Sequence, residues 1–154
     1  MSIRIEDILT PERTLIDAPV SSKKKLLEYL ASFIAGQLPD GSATDIFERF
    51  LSRERLGSTG VGEGIAIPHC RLPQCQEPFG VLVRLAEAID YDAMDHRPVD
   101  IVFALIVPEE ADSQHLQVLS LLARNLTEPN YRDALRNAPD AELLYKRALN
   151  VQEL

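Results

Sequence analysis

The chain has 154 residues, 45% of them hydrophobic and 26% charged, which is the composition of one globular domain with a sizeable core and not of a disordered chain. Its formal net charge of −8 argues against nonspecific binding to nucleic acid or insertion at an anionic membrane, since both repel an acidic surface. The only two cysteines, Cys70 and Cys75, sit in a chain whose first residues mix charge and apolar groups too finely for a secretion signal, so they read as reduced thiols of a cytoplasmic protein.

Along the chain, Ser21 or Ser22 caps a first helix, whose Leu26, Leu27, Leu30, Phe33, Ile34 and Leu38 recur at spacings of three and four and share one face. The Lys23-Lys24-Lys25 run falls on the solvated first turn of that helix. After Pro39-Asp40-Gly41, Ser42 and Asp45 resemble a capping box for a second helix with Ile46, Phe47, Phe50 and Leu51 inward. Four glycines then crowd the stretch from Gly57 to Gly64, and a short strand Ile65-Ala66-Ile67 is expected to end at Pro68. Phe79 to Leu85 reads as a strand with Val81, Val83 and Leu85 on one face. Ile101 to Val107 is apolar at every position, the pattern of a central strand covered on both sides. Asp112 or Ser113 caps a third helix carrying Leu116, Val118, Leu119, Leu122 and Leu126, the leucine stripe being core packing, and two shorter helices lie around Ala134 and Leu143. This order predicts a single α/β domain over residues 1–154, a sandwich of a mixed β-sheet flanked by helices.

The chemistry concentrates in R-E-R-L-G-S-T-G-V-G-E-G-I-A-I-P-H, from Arg53 to His69. The stretch lacks the G-x-x-x-x-G-K-[ST] pattern of a nucleotide-binding loop. It instead delivers a histidine behind a proline that fixes its own φ and stiffens the approach. A neutral imidazole is a nucleophile at neutral pH without a separate base. Were it to take a phosphoryl group, roughly two negative charges would arrive beside it. Arg53, the hydroxyls of Ser58 and Thr59 and the backbone N–H groups of the glycine turn are the nearest groups in sequence to meet them, with Arg55 next in line after Arg53. His115, where the third helix begins, is a second histidine near a natural anion site.

G-S-T-G-V-G-E-G-I-A-I-P-H resembles the phosphohistidine motif of the fructose/mannitol-type IIA proteins of the bacterial phosphotransferase system. With S-R-E-R ahead of it, the chain is similar to the nitrogen-regulatory members. Tyr91-Asp92-Ala93-Met94-Asp95, Pro98 to Pro108 and His115 to Leu121 extend the match, which runs from about Ile5 to Tyr145. The resemblance implies that His69 is phosphorylated by a histidine-containing phosphocarrier protein, that Arg53 steadies the phosphoryl group, and that His115 is the second active-site histidine. It implies no cofactor and no metal, and regulatory target proteins tied to nitrogen, carbon or potassium status. Where many members carry glycine after the phosphorylated histidine, this chain has Cys70, read as a passive small residue with a redox role as the lesser alternative.

Three other readings compete. A zinc hydrolase built on His69, Cys70, Cys75 and His115 lacks any usual ligand spacing. An interaction module that is never phosphorylated would keep the same surface. A sugar-specific transport component would need a separate partner to supply the rest of the pathway.

Overall fold

The computed structural model describes residues 4–111 and 113–150, leaving aside the side chains of residues 113–116. Chain order gives α1 (Ile5–Ile8), a 3-10 turn at Pro11–Arg13, β1 (Thr14–Ala18), α2 (Lys23–Ala35) and α3 (Ala43–Arg55). There follow β2 (Gly60–Gly62), β3 (Ile65–Ala66), β4 (His69–Leu72), β5 (Phe79–Ile89), β6 (Val99–Pro108), α4 (Ser113–Leu126), α5 (Pro129–Arg136) and α6 (Ala141–Leu149).

Among the described residues the six strands form one open mixed sheet in the order β1-β5-β6-β3-β2, with β4 also on β6. The β5–β6 and β2–β3 pairs are antiparallel, whereas β1 runs parallel to β5, and β3 and β4 both run parallel to β6. Strand β6 is thus the hub, and its sequence explains why. Val102, Ala104 and Ile106 point into the core beneath α2 and α3. Ile101, Phe103, Leu105 and Val107 point into the core beneath α1, α4, α5 and α6. A strand that is apolar on both faces can only be satisfied between two helical layers, each buried aliphatic side chain contributing roughly 1.5–3 kcal/mol. In β5, Val81, Val83 and Leu85 share the α2–α3 side as expected, while Leu82 enters the opposite core.

The helix starts obey their capping residues. Ser22 accepts from Lys25 N–H at 3.1 Å, Ser42 from Asp45 N–H at 3.2 Å, and Asp140 from Leu143 N–H at 2.8 Å. The cap expected from Asp112 or Ser113 lies outside the described residues. Leu38 falls beyond the end of α2 but still packs against its core.

The strand before Pro68 ends there as expected, β3 closing at Ala66, but a new strand, β4, begins at His69 on the same partner, Ala66 lying opposite Val102 and His69 opposite Leu105. Proline lacks only its own N–H, and its carbonyl still accepts from Leu105 N–H at 2.9 Å, so pairing pauses at Pro68 and resumes.

Candidate functional site

Arg53 and His69 reach each other because α3 ends beside the β3–β4 joint. At the end of α3, Leu56 closes the helix and Gly57, at φ 150°, turns the chain toward Ser58 and Thr59. The hairpin β2–β3 then reverses through Glu63 (φ 58°) and Gly64 (φ 81°). The positive φ at Gly64 favours glycine, and a side chain there would also have to displace the Arg136 guanidinium beside Asp100.

The His69 ring is held at both nitrogens. Arg53 Nε donates to Nε2 at 3.2 Å, and Nδ1 lies 2.9 Å from the Ile67 carbonyl. Because a guanidinium can only donate, Nε2 is the acceptor and Nδ1 carries the proton, which it gives to Ile67. Burial, first, and the Arg53 cation, second, lower the pKa of the ring below its usual 6.5; the Ile67 carbonyl and Glu54 oppose them. The result is a neutral imidazole with its lone pair on Nε2. Arg53 Nη1 is fixed in turn by the Gly57 carbonyl at 2.9 Å.

This pair opens into a cleft of about 550 Å³ whose walls include Arg49, Arg71, Leu56 and Leu119. Arg49 is answered by Asp45 at 3.0 Å and Glu109 at 2.9 Å, and Arg71 Nη1 donates to the Glu109 and Ala111 carbonyls, so the β6–α4 connection is latched to α3 and β4. Leu56 is 85% exposed at the rim. Leu119, half-buried, packs against the core as expected and also lines the cleft, while Leu122 is fully in the core.

In this structure the two hydroxyls have partners within the protein. Thr59 is buried, and its Oγ1 donates to Glu54 and lies 2.9 Å from the Tyr91 hydroxyl. Ser58 Oγ accepts from Gly60 N–H at 3.1 Å. Neither residue is among the described residues that line the cleft. Three N–H groups of the glycine turn are likewise engaged: Thr59 N–H with Glu54, Gly60 N–H with Ser58 and Glu63 N–H with Asp95 at 2.8 Å. His115 lies in the first turns of α4, and its side chain is outside the described residues.

Sequence reasoning missed the polar cluster behind Arg53. Glu54, with its side chain 6% exposed, pairs with Lys23 at 2.8 Å and accepts from Thr59 N–H, the Thr59 hydroxyl and the Tyr91 hydroxyl at 3.0 Å. Lys23 also lies 4.6 Å from the Tyr91 ring centre. Burial, and secondarily Glu54, raise the Tyr91 pKa far above 10, keeping the phenol a donor.

Cys70 and Cys75 are free and buried. Burial pushes the Cys70 thiol up to about 12, which suits a passive packing residue better than a redox centre. Among the described residues no three His, Cys, Asp or Glu side chains are grouped to share a metal ion, and no helix is long and apolar enough to cross a membrane.

Comparison with known proteins agrees with this architecture. Residues 7–150 match the family model described as phosphoenolpyruvate-dependent sugar phosphotransferase system, EIIA 2. A nitrogen regulatory protein of Pseudomonas aeruginosa is 49% identical over 150 residues, covering 97% of each chain. One from Escherichia coli K12 is 39% identical over 146 residues, covering 94% of this chain and 89% of the other. The crystal structure of the nitrogen regulatory protein IIA-Ntr from Neisseria meningitidis superposes with a TM-score of 0.86 at 38% identity, covering 94% of this chain and 97% of that one. With its mixed sheet, its I-A-I-P-H strand joint and relatives matching nearly end to end, the chain belongs to the EIIA type 2 family of the phosphotransferase system, in its nitrogen-regulatory branch.

Proposed function

We propose that this regulatory component accepts a phosphoryl group on Nε2 of His69 from a histidine-containing phosphocarrier protein, and passes it on or displays it as a signal of nitrogen, carbon or potassium status. The observation that supports this best is the double tether of His69, which leaves an unprotonated Nε2 facing a cleft. In the transfer the Nε2 lone pair attacks phosphorus, the N–P bond to the donor ring breaks, and the donor nitrogen keeps the electron pair. No proton has to leave His69, because Nδ1 holds its own throughout.

The arriving charge is met by Arg53, whose Nε–H and terminal N–H groups turn from Nε2 and Gly57 onto phosphoryl oxygens in a forked contact. Arg53 supplies the cation, and transfer withstands removal of magnesium. His115 donates a further hydrogen bond as the second active-site histidine. Both donor and product are phosphoramidates, so transfer is reversible. The whole chain, 1–154, works as one IIA unit in the cytoplasm. That the matched relatives are called nitrogen regulatory proteins favours regulation over sugar transport.

The deciding experiment is intact mass after incubation with phosphoenolpyruvate and the upstream phosphotransferase proteins, with His69→Ala alongside. One acid-labile phosphoryl group on the wild type and none on the variant is expected. An unmodified wild type under conditions that charge the donor would leave a docking module that is never phosphorylated.

A further inference from the structure

Resting on the proposal that His69 is the phosphoryl acceptor, we infer that Glu54 is the positioning residue of the site, holding the partners of both His69 nitrogens through a single buried carboxylate. Two chains of contacts start at that carboxylate. In the first, Glu54 accepts from Thr59 N–H at 3.2 Å and from the Thr59 hydroxyl, which closes the loop between α3 and β2. That loop carries the Gly57 carbonyl, which holds Arg53 Nη1, and Arg53 Nε holds His69 Nε2. In the second, the Thr59 carbonyl accepts from Ile67 N–H at 2.9 Å, and the Ile67 carbonyl accepts from His69 Nδ1. Thr59 is the branch point, and Glu54 is what keeps Thr59 in place.

The carboxylate itself is well supported. Lys23 at the start of α2 balances its charge at 2.8 Å, and the Tyr91 hydroxyl adds a donor from the far side at 3.0 Å. A buried ion pair with its remaining lone pairs satisfied is rigid, and rigidity is what a nucleophile aimed along one line needs. Glu54 touches neither the His69 ring nor the cleft among the described residues, so apart from the opposing pull of its charge on the ring's pKa, its contribution to transfer runs through Arg53 and Ile67.

The test uses the full chain with Glu54→Gln, Tyr91→Phe and Thr59→Ser. Long-range ¹⁵N–¹H correlation spectra report which nitrogen of His69 is protonated, and intact mass reports the rate of phosphorylation by potassium phosphoramidate, a small donor that needs no docking. Glu54→Gln is expected to keep wild-type dispersion in its core resonances while the ring moves from the Nδ1–H form to a mixture of tautomers. Its phosphorylation rate should fall about ten- to a hundredfold, the cost of a loosely aimed nucleophile. Tyr91→Phe should move both readouts the same way by less, and Thr59→Ser, which keeps the hydroxyl, should restore wild-type values. Should Glu54→Gln fail to fold, Tyr91→Phe decides, since it removes one hydroxyl from the same cluster. A folded variant with wild-type tautomer and rate overturns the inference. A tautomer shift in the variant with no phosphorylation of the wild type would uphold the positioning role and remove the phosphoryl function instead.

Discussion

Replacing Arg53 by lysine keeps the positive charge and removes the fork. The lysine has one nitrogen where arginine has three, so it cannot reach His69 Nε2 and the Gly57 carbonyl together, now spanned at 3.2 and 2.9 Å. When the phosphoryl group arrives, one charge-assisted hydrogen bond of the two is lost, worth about 1.5–3 kcal/mol. If that bond is made only in the transition state, the transfer rate falls about 10- to 150-fold at about 1.4 kcal/mol per decade. Stability should change by less than about 1 kcal/mol, because the Gly57 contact is exposed. The assay is single-turnover transfer from a charged phosphocarrier, quenched and read by intact mass, beside a urea titration of the same sample. A folded Arg53→Lys protein transferring within about threefold of wild type would refute the forked-contact mechanism.

Other outcomes follow from the same structure. Because burial first and Arg53 second lower the His69 pKa, the acid-side loss of phosphoryl acceptance should have its midpoint below 6.5, and a midpoint above it would contradict the ring's environment. The same shift bears on stability: the unfolded ring takes up its proton first, so this contribution is intact above 6.5 and is lost as pH falls toward the folded value, measurable as a falling urea midpoint in wild type but not in His69→Ala. Cys70 and Cys75, pushed up by burial to about 12 and about 11, should resist iodoacetamide at pH 7.5 in the folded protein and react fully in denaturant; rapid native alkylation of Cys70 would show that it is not held as described. Gly80→Ala would drive a Cβ into the Phe103 ring at the β5–β6 contact, and calorimetry should show a loss of about 1–3 kcal/mol.

What the sequence made legible was whatever one local pattern could carry. Ile101 to Val107 announces a doubly covered strand because its alternate side chains supply two different cores. The capped starts of α2 and α3 needed only Ser22 and Ser42. Strand β1 was not foreseen: it has five residues, is buried only at its two ends and bends at Asp17 with φ 55°, leaving no alternation to read. At the site, Arg53 and His69 were visible in one motif. Glu54 was not, since its burial depends on Lys23 and Tyr91, which lie far from it in sequence and arrive on other elements. The partners of Thr59 were hidden for the same reason: adjacency along the chain offered its hydroxyl to the His69 side, whereas in the fold it meets Glu54 and Tyr91.

The pause at Pro68 limits how His69 can communicate. On either side of it the backbone is stitched to one deeply buried strand, and the Pro68 carbonyl is tied there as well. If His69 takes the phosphoryl group proposed above, the new charge lands on a side chain whose backbone stays stitched to the sheet, and the groups that meet it first are Arg53 and the walls of the cleft. A partner whose footprint covers His69 is then the one expected to tell the two forms apart.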